Sequence, residues 1–225
     1  MPAPDLPPVP VNDDPRAVYV HVSPGGVSEE ALAGCTCVVV DVLRATTTIA
    51  EVLRAGALCV ETFMTVEEVE RARSSALDAG ESCCRGGERG GVRIEGFELD
   101  KSPRTISRQQ VGGRRVFFTT TNGTAALHLA RRAARVVLAA FTNLSAVCRA
   151  VVGDARPIHV LCAGTRGEIT LDDCLVAGAI VDRLSAARAL SESDEGRLCL
   201  EAWRSACVQP GGVLRSLRLS RGELT

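Results

Sequence analysis

The sequence predicts an α/β fold in which helices cover a mostly parallel or mixed β-sheet in layers. Short apolar runs rich in Val, Leu and Ile alternate with amphipathic segments along most of the 225 residues. Glycines or helix-capping residues separate many of these segments. Because 46% of the residues are hydrophobic and only 3% aromatic, Val, Leu and Ala must fill the core. Strands alternating with helices at this spacing are typical of a parallel sheet covered on both faces.

The first half of the chain carries clear signals for the ends of its helices. Gly56 follows an apolar helical segment at the position that often terminates a helix. Thr65 and Glu68 have the spacing of a capping box, in which each side chain accepts a hydrogen bond from the other residue's backbone. The predicted elements are strands at 17–22, 35–41 and 57–63, and helices at 47–55 and 65–80.

The second half repeats a strand and a following helix three times. The strands are predicted at 114–121, 135–141 and 157–164, and the helices at 123–133, 143–153 and 170–187. Thr170 is the expected N-cap of the last of these helices, with Asp173 at the capping-box position. The glycine-rich, charged segment 85–103 is predicted to be a long functional loop with at most a short strand. Residues 195–207 are predicted to be helical.

Composition limits the domain organisation and the partners. Residues 1–16 are rich in Pro and Asp and are predicted to be a disordered tail, followed by one α/β domain at 17–225 that could divide into two subdomains. A net charge of −1 argues against nucleic acid or an anionic membrane as the partner. The sequence has no secretory signal and no apolar run of the ~20 residues that span a membrane. Ten cysteines without a C-x2-C pair therefore indicate reduced thiols in a cytoplasmic protein.

Polar side chains collect where four predicted strands end. The segments are DVLRATTT (41–48), TTTNGT (119–124), FTN (141–143) and CAGTRGE (162–168). The carboxyl ends of parallel strands meet at one edge of a sheet, where α/β proteins bind ligands. We therefore expect these four clusters to form one site.

The residue types in these clusters suit the binding of an anion. Helix N-termini and threonine hydroxyls supply hydrogen-bond donors, and Arg44 and Arg89 could clamp a phosphate or carboxylate with paired N–H groups. Asp41 and Glu88 would repel such an anion unless a cation lay between them, and Mg²⁺ prefers carboxylate oxygens. The pattern predicts a Mg²⁺-assisted site for a small phosphorylated acid.

Each of these signals also has a purely structural interpretation. Thr47 and Thr48 could only cap a helix, and 119–121 could be ordinary β-branched strand residues. Asp41 could be an N-cap, and Glu88 with Arg89 a solvated ion pair. Asp173, in the first turn of a helix, could act only on the helix dipole.

Five ordered motifs resemble those of the 2-phosphosulfolactate phosphatase family: DVLRATTTI, GGERGGVRIEGFELDKSP, TTTNGT, AAFTNLSAV and CAGTRGEITLDDCLVAGAIV. The likeness covers 38–184. It implies an α/β enzyme, a homo-oligomer such as a dimer, that uses Mg²⁺ to hydrolyse (R)-2-phospho-3-sulfolactate to 3-sulfolactate and phosphate. This reaction is a step toward coenzyme M.

The motifs and the resemblance together assign roles to individual residues. The catalytic candidates are Asp41, Arg44, Glu88 and Arg89, and the metal candidates are Asp41, Glu88 and Asp173. The candidates for substrate binding are Thr46, Thr47, Thr48, Thr120, Thr121, Asn122, Gly123, Asn143, Ser145 and Thr165. Both attack by water and attack by Asp41 through an aspartyl phosphate remain open.

Two departures from the family pattern keep other functions open. Asp100 and Lys101 precede Ser-Pro where the family usually has Gly-Asn, and the chain ends at SRGELT where the family continues. Another 2-phospho-hydroxyacid or a sugar phosphate is the first alternative substrate. A non-catalytic, anion-binding descendant of the enzyme with a shortened C-terminal segment is the second alternative.

Overall fold

The computed structural model describes residues 16–191 and 193–220, so the predicted tail, apart from its last residue, lies outside the described residues. In chain order the strands and helices are β1 (Val18–His21), β2 (Thr36–Val40), α1 (Ala45–Arg54), β3 (Cys59–Thr62), α2 (Val66–Asp78), β4 (Cys83–Arg89), β5 (Val92–Arg93), α3 (Arg108–Val111), β6 (Arg115–Thr119), α4 (Gly123–Leu129), β7 (Arg135–Ala139), α5 (Leu144–Val151), β8 (Ile158–Cys162), α6 (Leu171–Leu184), α7 (Asp194–Val208) and α8 (Gly212–Arg218). Short 3-10 turns occur at Pro103–Thr105 and Ala130–Arg132.

The strands form two sheets with helices packed against them, which confirms the layered α/β fold class. The first sheet has the order β1-β8-β2-β7, and all its neighbours are parallel. The second has the order β3-β6-β4-β5, in which only β5 runs antiparallel to its neighbour. Four-stranded sheets of this size need helices to cover their apolar faces.

The central strands of the first sheet are fully buried, as parallel strands covered on both faces usually are. Every residue of β2 and β8 is buried, and Val38 pairs with Val160 in their register. Helix α6 lies over this sheet, and its Ile180 and Leu184 belong to the same apolar cluster. Because α7 packs on the outer side of α6, α6 is buried along most of its length.

The prediction of a loop at 85–103 was wrong over its first part, where β4 is an ordered strand of the second sheet. Its glycines allow close packing against the neighbouring strand, since a Cβ at Gly86 would lie 2.9 Å from Cδ2 of Phe118. Strand β5 then pairs back onto β4, with Glu88 opposite Arg93. Glycines usually weaken strand predictions, but here they mark a close contact between strands.

The helix ends agree only partly with their sequence signals. The Thr65 and Glu68 capping box at the start of α2 is confirmed. Helix α1 begins at Ala45, earlier than predicted, so the three following threonines lie inside its first turns. Thr170 does precede α6, but its hydroxyl makes no capping hydrogen bond, so that part of the prediction was wrong. Helices α3 and α8 were not predicted.

The structure describes the state of the cysteines and the character of the helices. All ten cysteines are free thiols, and most of them are buried. None of the helices in the described part of the chain has both the length and the apolar character needed to cross a membrane.

Candidate active site

One pocket lies where strands of both sheets end. It occupies about 540 Å³ including its open mouth, and it is bordered by the segments that follow β2, β4, β6 and β8. Its lining residues are Asp41, Leu43, Arg44, Ala45, Glu88, Gly90, Gly91, Lys101, Thr120, Thr121, Asn122, Thr165 and Arg166. The predicted convergence at strand ends is therefore observed for three of the four clusters, although the strands belong to two sheets.

Asp41 follows β2 and is buried, with 8% of its surface exposed. Its Oδ1 accepts a hydrogen bond from the backbone N–H of Ala45, 3.1 Å away, at the start of α1. Burial raises the pKa of this carboxyl to about 6, and the charges of Asp172 and Glu88 add to the effect. A carboxyl group with this pKa is suited to exchange protons, or to bind a cation, near neutral pH.

Glu88, at the end of β4, is equally buried, with 7% exposed. Its Oε1 accepts from the backbone N–H of Thr121 at 2.6 Å. Its Oε2 accepts from the backbone N–H of Gly91 at 2.6 Å and from the Thr121 hydroxyl at 3.1 Å. Glu88 therefore ties the β4–β5 turn to the link between β6 and α4, which form adjacent walls of the pocket.

Gly123, predicted as a binding residue, is buried beneath the pocket at the start of α4. A Cβ at this position would lie 2.7 Å from Oδ2 of Asp41 and 2.6 Å from Cβ of Ala45. Only glycine allows α4 to approach the Asp41 carboxylate this closely, so the residue serves the site through its lack of a side chain.

Asp173, predicted as a metal ligand, lies behind the pocket and does not line it. Its Oδ1 accepts from the backbone N–H of Val42 at 2.8 Å, and its Oδ2 from that of Gly164 at 3.0 Å. Burial raises its pKa well above the usual value, and the charge of Asp41 raises it further. Asp173 joins the ends of β2 and β8 and so positions both Asp41 and the segment after β8, instead of capping α6.

The cationic side chains of the pocket differ from those predicted. Arg44 lines it as expected, but so do Lys101 and Arg166, which sequence reasoning missed. Burial lowers the pKa of Lys101, and nearby Arg44 lowers it further. Two signals could have revealed them, because Lys101 is the only lysine of the chain and Arg166 directly follows Thr165 in a strand-end cluster.

Arg89 is not part of the pocket, contrary to its predicted role as a clamp. Its guanidinium donates to the carbonyl oxygens of Glu88 at 2.9 Å and Met64 at 2.8 Å, and to the Thr119 hydroxyl at 2.6 Å. These bonds hold β4 beside β6 and the end of β3. The predicted anion clamp is replaced by a structural connection between strands.

The structure also keeps the hydroxyls of Thr46, Thr47 and Thr48 away from the pocket. The Thr46 hydroxyl lies 2.7 Å from the carbonyl oxygen of Asp41 and 2.8 Å from that of Ala139. Thr47 donates to the carbonyl oxygen of Val42 at 2.7 Å, and Thr48 donates to that of Lys101. The first two hydroxyls hold the backbone that carries Asp41 and Arg44, and the third ties α1 to the segment of Lys101.

The cluster after β7 does not reach the pocket either. Asn143 accepts from the backbone N–H of Ala140 at 2.8 Å and donates to the carbonyl oxygen of Leu138 at 2.9 Å. The Ser145 hydroxyl accepts a hydrogen bond from Arg183 at 2.6 Å and is exposed. β7 is the edge strand of its sheet, and only β2 and β8 of that sheet end at the pocket.

The carboxylates in the pocket fit a metal ion that shares its coordination with a substrate. Asp41 and Glu88 both line the pocket, and the charge of Glu88 helps to raise the pKa of Asp41, an effect that a bound cation would offset. Within residues 16–191 and 193–220, no group of three or more His, Cys, Asp or Glu side chains is arranged to hold a metal. Mg²⁺ commonly uses one or two carboxylates together with substrate phosphates.

An α/β fold with two buried carboxylates and three cationic side chains in one strand-end pocket defines an enzyme-like site for a small anion. The family described as 2-phosphosulpholactate phosphatase matches residues 21–221. Among curated relatives, a probable 2-phosphosulfolactate phosphatase of Synechococcus sp. (strain RCC307) is 38% identical over 207 residues, or 89% of this chain and 82% of the relative.

Two further relatives carry the same description. The protein of Deinococcus radiodurans is 43% identical over 180 residues, 79% of this chain and 73% of its own length. That of Clostridium perfringens (strain SM101 / Type A) is 36% identical over 167 residues, or 74% and 68%. The chain therefore belongs to the 2-phosphosulfolactate phosphatase family, which confirms the resemblance, and the match extends beyond 38–184 on both sides.

Proposed function

We propose that the protein is a Mg²⁺-dependent phosphatase that hydrolyses (R)-2-phospho-3-sulfolactate to 3-sulfolactate and inorganic phosphate. The observation that carries the proposal is the convergence of Asp41 and Glu88 with three cationic side chains in one pocket. The chain also belongs to a family that is named for this substrate.

The charges in the pocket suit this substrate class. The proposed substrate has a phosphate, a carboxylate and a sulfonate, and the pocket presents Arg44, Lys101 and Arg166. Thr120, Thr121 and Asn122 border the same space and add neutral polar groups. Placing preorganised cationic and polar groups around a phosphoryl group is the main source of catalysis in phosphoryl transfer.

Asp41 is the residue proposed to act at the phosphorus atom. In one route it accepts a proton from the attacking water, and in the other its carboxylate attacks phosphorus and water hydrolyses the aspartyl phosphate. In both, the ester P–O bond breaks and the leaving oxygen of sulfolactate takes up a proton. Acid quenching during turnover followed by borohydride reduction separates the routes, since only the second forms an acyl phosphate on Asp41 that is reduced to homoserine.

Asp41 and Glu88 are the side chains that would hold Mg²⁺. The ion would neutralise charge on the phosphoryl oxygens and lower the pKa of water. Glu88 keeps its carboxylate in the pocket through Thr121 and Gly91, which gives a ligand a fixed position. Asp173 is assigned to positioning, since it does not line the pocket and its two oxygens join the backbone at Val42 to that at Gly164.

Assembly and location complete the proposal and rest on the family resemblance. The protein is proposed to work in the cytoplasm as a homodimer. Light scattering of the purified full-length chain measures its mass, and a monomeric mass would remove the dimer from the proposal.

A substrate panel tests the function. Phosphate release is measured with 2-phosphosulfolactate, 2-phospholactate, 2-phosphoglycerate and glucose 6-phosphate, each with Mg²⁺ or with excess EDTA. We expect turnover to be fastest with 2-phosphosulfolactate and to be lost in EDTA and restored by added Mg²⁺. Faster turnover of another ester would replace the substrate, and binding of sulfolactate without hydrolysis of any ester would favour the non-catalytic alternative.

A further inference from the structure

The three cationic side chains of the pocket come from different parts of the fold. Arg44 follows β2 and immediately precedes α1, and Lys101 follows the β4–β5 hairpin in the chain. Arg166 lies on the segment between β8 and α6. The pocket can therefore contact different ends of one small substrate with different cations.

Arg44 and Lys101 share their surroundings with the two carboxylates. The charge of Arg44 lowers the pKa of Lys101, and the charges of Glu88, Asp100 and Asp41 raise it. At this end of the pocket, the positive charges of Arg44 and Lys101 are matched by the negative charges of Asp41 and Glu88. This is the end that holds the proposed catalytic carboxylate, so the phosphoryl group belongs here.

Arg166 has a fixed backbone and an exposed side chain. It is in the left-handed region, with φ 53°, and its backbone N–H donates to Oδ1 of Asn122 at 3.0 Å. Thr165 and Glu168 exchange two backbone hydrogen bonds of 2.9 and 3.0 Å around it. The base of the side chain is therefore held at the pocket, while its exposed position leaves the guanidinium accessible to a ligand.

Among the described residues, no acid forms an ion pair with the guanidinium of Arg166. Other arginines lie against carboxylates, as Arg85 does with Glu70 at 2.6 Å and Arg115 with Glu61 at 2.6 Å. The ion pairs found within the described ranges do not involve Arg166. A non-paired guanidinium at the border of a pocket is available for a charged part of the ligand.

We propose that Arg166 is the specificity-determining residue of the site and binds the sulfonate of the substrate. This inference rests on the proposed function and adds the residue that recognises the sulfonate. The planar fork of N–H groups on arginine matches two oxygens of a sulfonate, as it does those of a carboxylate or phosphate.

The test compares two esters that differ only in the sulfonate, 2-phosphosulfolactate and 2-phospholactate. Loss of one charge-assisted contact should lower kcat/KM for the first ester by about 10- to 100-fold in Arg166→Gln. The second ester should lose less than about 3-fold, because it has nothing for Arg166 to bind. Arg166→Lys should retain part of the selectivity, and Arg149→Gln, an exposed arginine of α5 outside the pocket, should retain all of it.

Binding measurements separate this inference from the proposed function. Calorimetry with 3-sulfolactate and with lactate needs no turnover, and thermal unfolding checks that each variant is folded. If wild type is inactive but binds sulfolactate in an Arg166-dependent way, the proposed function fails and the inference stands. If wild type is active and Arg166→Gln keeps its preference for the sulfonated ester, or loses both esters equally, the inference is overturned and the function stands.

Discussion

Two runs of three threonines follow two different strands, and the structure gives them different roles. After β2, all of Thr46, Thr47 and Thr48 direct their hydroxyls to backbone carbonyl oxygens. After β6, Thr120 and Thr121 line the pocket. Both runs have the same three residues, and they differ in their position relative to the following helix.

The position at which each helix begins explains the difference. α1 begins at Ala45, before its threonines, and the hydroxyls of Thr46 and Thr47 bond to carbonyl oxygens that precede the helix. α4 begins at Gly123, so Thr120 and Thr121 occupy the strand–helix link that faces the site, while Thr119 is the last residue of β6. The first run supports the segment that carries Asp41 and Arg44, and the second run contributes to the pocket surface.

The largest expected effect is a fall in kcat on substitution of Asp41, which the first threonine run supports. Asp41→Asn keeps an acceptor for the Ala45 N–H but removes the negative charge. We expect kcat to fall by about 1000-fold or more. Phosphate-release assays measure this, with circular dichroism as the control for folding. Near-wild-type turnover would show that the site has been assigned to the wrong residue.

The next prediction concerns the free energy of unfolding, which should depend on pH. His21 and His159 are stacked and share a hydrogen bond of 3.0 Å, and burial lowers the pKa of each to about 4 from 6.5. Between these values the unfolded chain binds protons that the folded chain does not. Stability from this pair is therefore complete above pH 6.5 and lost as pH falls toward 4, by about 3 kcal/mol for each histidine.

Urea unfolding at several pH values measures this loss. A variant with both His21→Gln and His159→Gln should have a flatter profile between pH 6.5 and 4. An unchanged slope would mean that other groups cause the loss. The stabilities of the threonine variants below are best compared above pH 6.5, where the two histidines contribute a constant amount to the free energy of unfolding.

Thr46→Val should destabilise the fold more than it affects chemistry. The hydroxyl is buried, accepts from the backbone N–H of Asp41 at 3.2 Å and lies against two carbonyl oxygens. Leaving these groups without a partner should lower the free energy of unfolding by about 1–3 kcal/mol. Chemical denaturation measures the loss, and kcat of the folded fraction should stay within a few-fold of wild type. A large fall in kcat at unchanged stability would contradict the structural role assigned to the first threonine run.

Thr121→Val should affect catalysis more than it affects the stability of the fold. Its hydroxyl bonds to Glu88 and accepts from the N–H of Gly90 at 3.0 Å, but the residue is exposed, so water can replace it. We expect a change in stability below about 1 kcal/mol and a fall in kcat/KM of about 10-fold, because Glu88 loses one of its fixed donors. Equal stability losses in this variant and in Thr46→Val would contradict the comparison.

The smallest effect is expected for Thr170→Val. The hydroxyl of Thr170 is buried without a hydrogen-bond partner among the described residues, so its removal relieves an unsatisfied polar group. The free energy of unfolding should be unchanged or rise by up to about 1 kcal/mol. Chemical denaturation of this variant side by side with Thr46→Val gives the matched control. A clear loss of stability in Thr170→Val would indicate that this hydroxyl has a hydrogen-bond partner.

Much of the fold could be predicted because its signals are local. The alternation of apolar runs and helical segments identified most strands and helices, and Thr65 with Glu68 marked the start of α2. β4 was missed because its glycines read as loop, whereas contact with Phe118 requires small residues there. That contact joins segments far apart in the chain, and no local pattern contains it.

The chemical character of the candidate site could be predicted, but not all of the residues that form it. Asp41 and Glu88 were identified because carboxylates beside a predicted anion site indicate a cation between them. Arg89 and the β2–α1 threonines were assigned to substrate, yet their hydrogen bonds go to the backbone. Lys101 and Arg166 were missed because their approach to the pocket depends on where distant loops fold.

The α/β class, the family and the chemistry of the strand ends follow from local sequence, since burial periodicity, caps and ordered motifs are properties of neighbouring residues. Which strand ends share a pocket depends on contacts between distant segments. The strands divide into two sheets, and Asp173 fastens the end of β2 to the end of β8 through Val42 and Gly164. Long-range hydrogen bonds of this kind select, from many polar candidates, the few whose side chains meet.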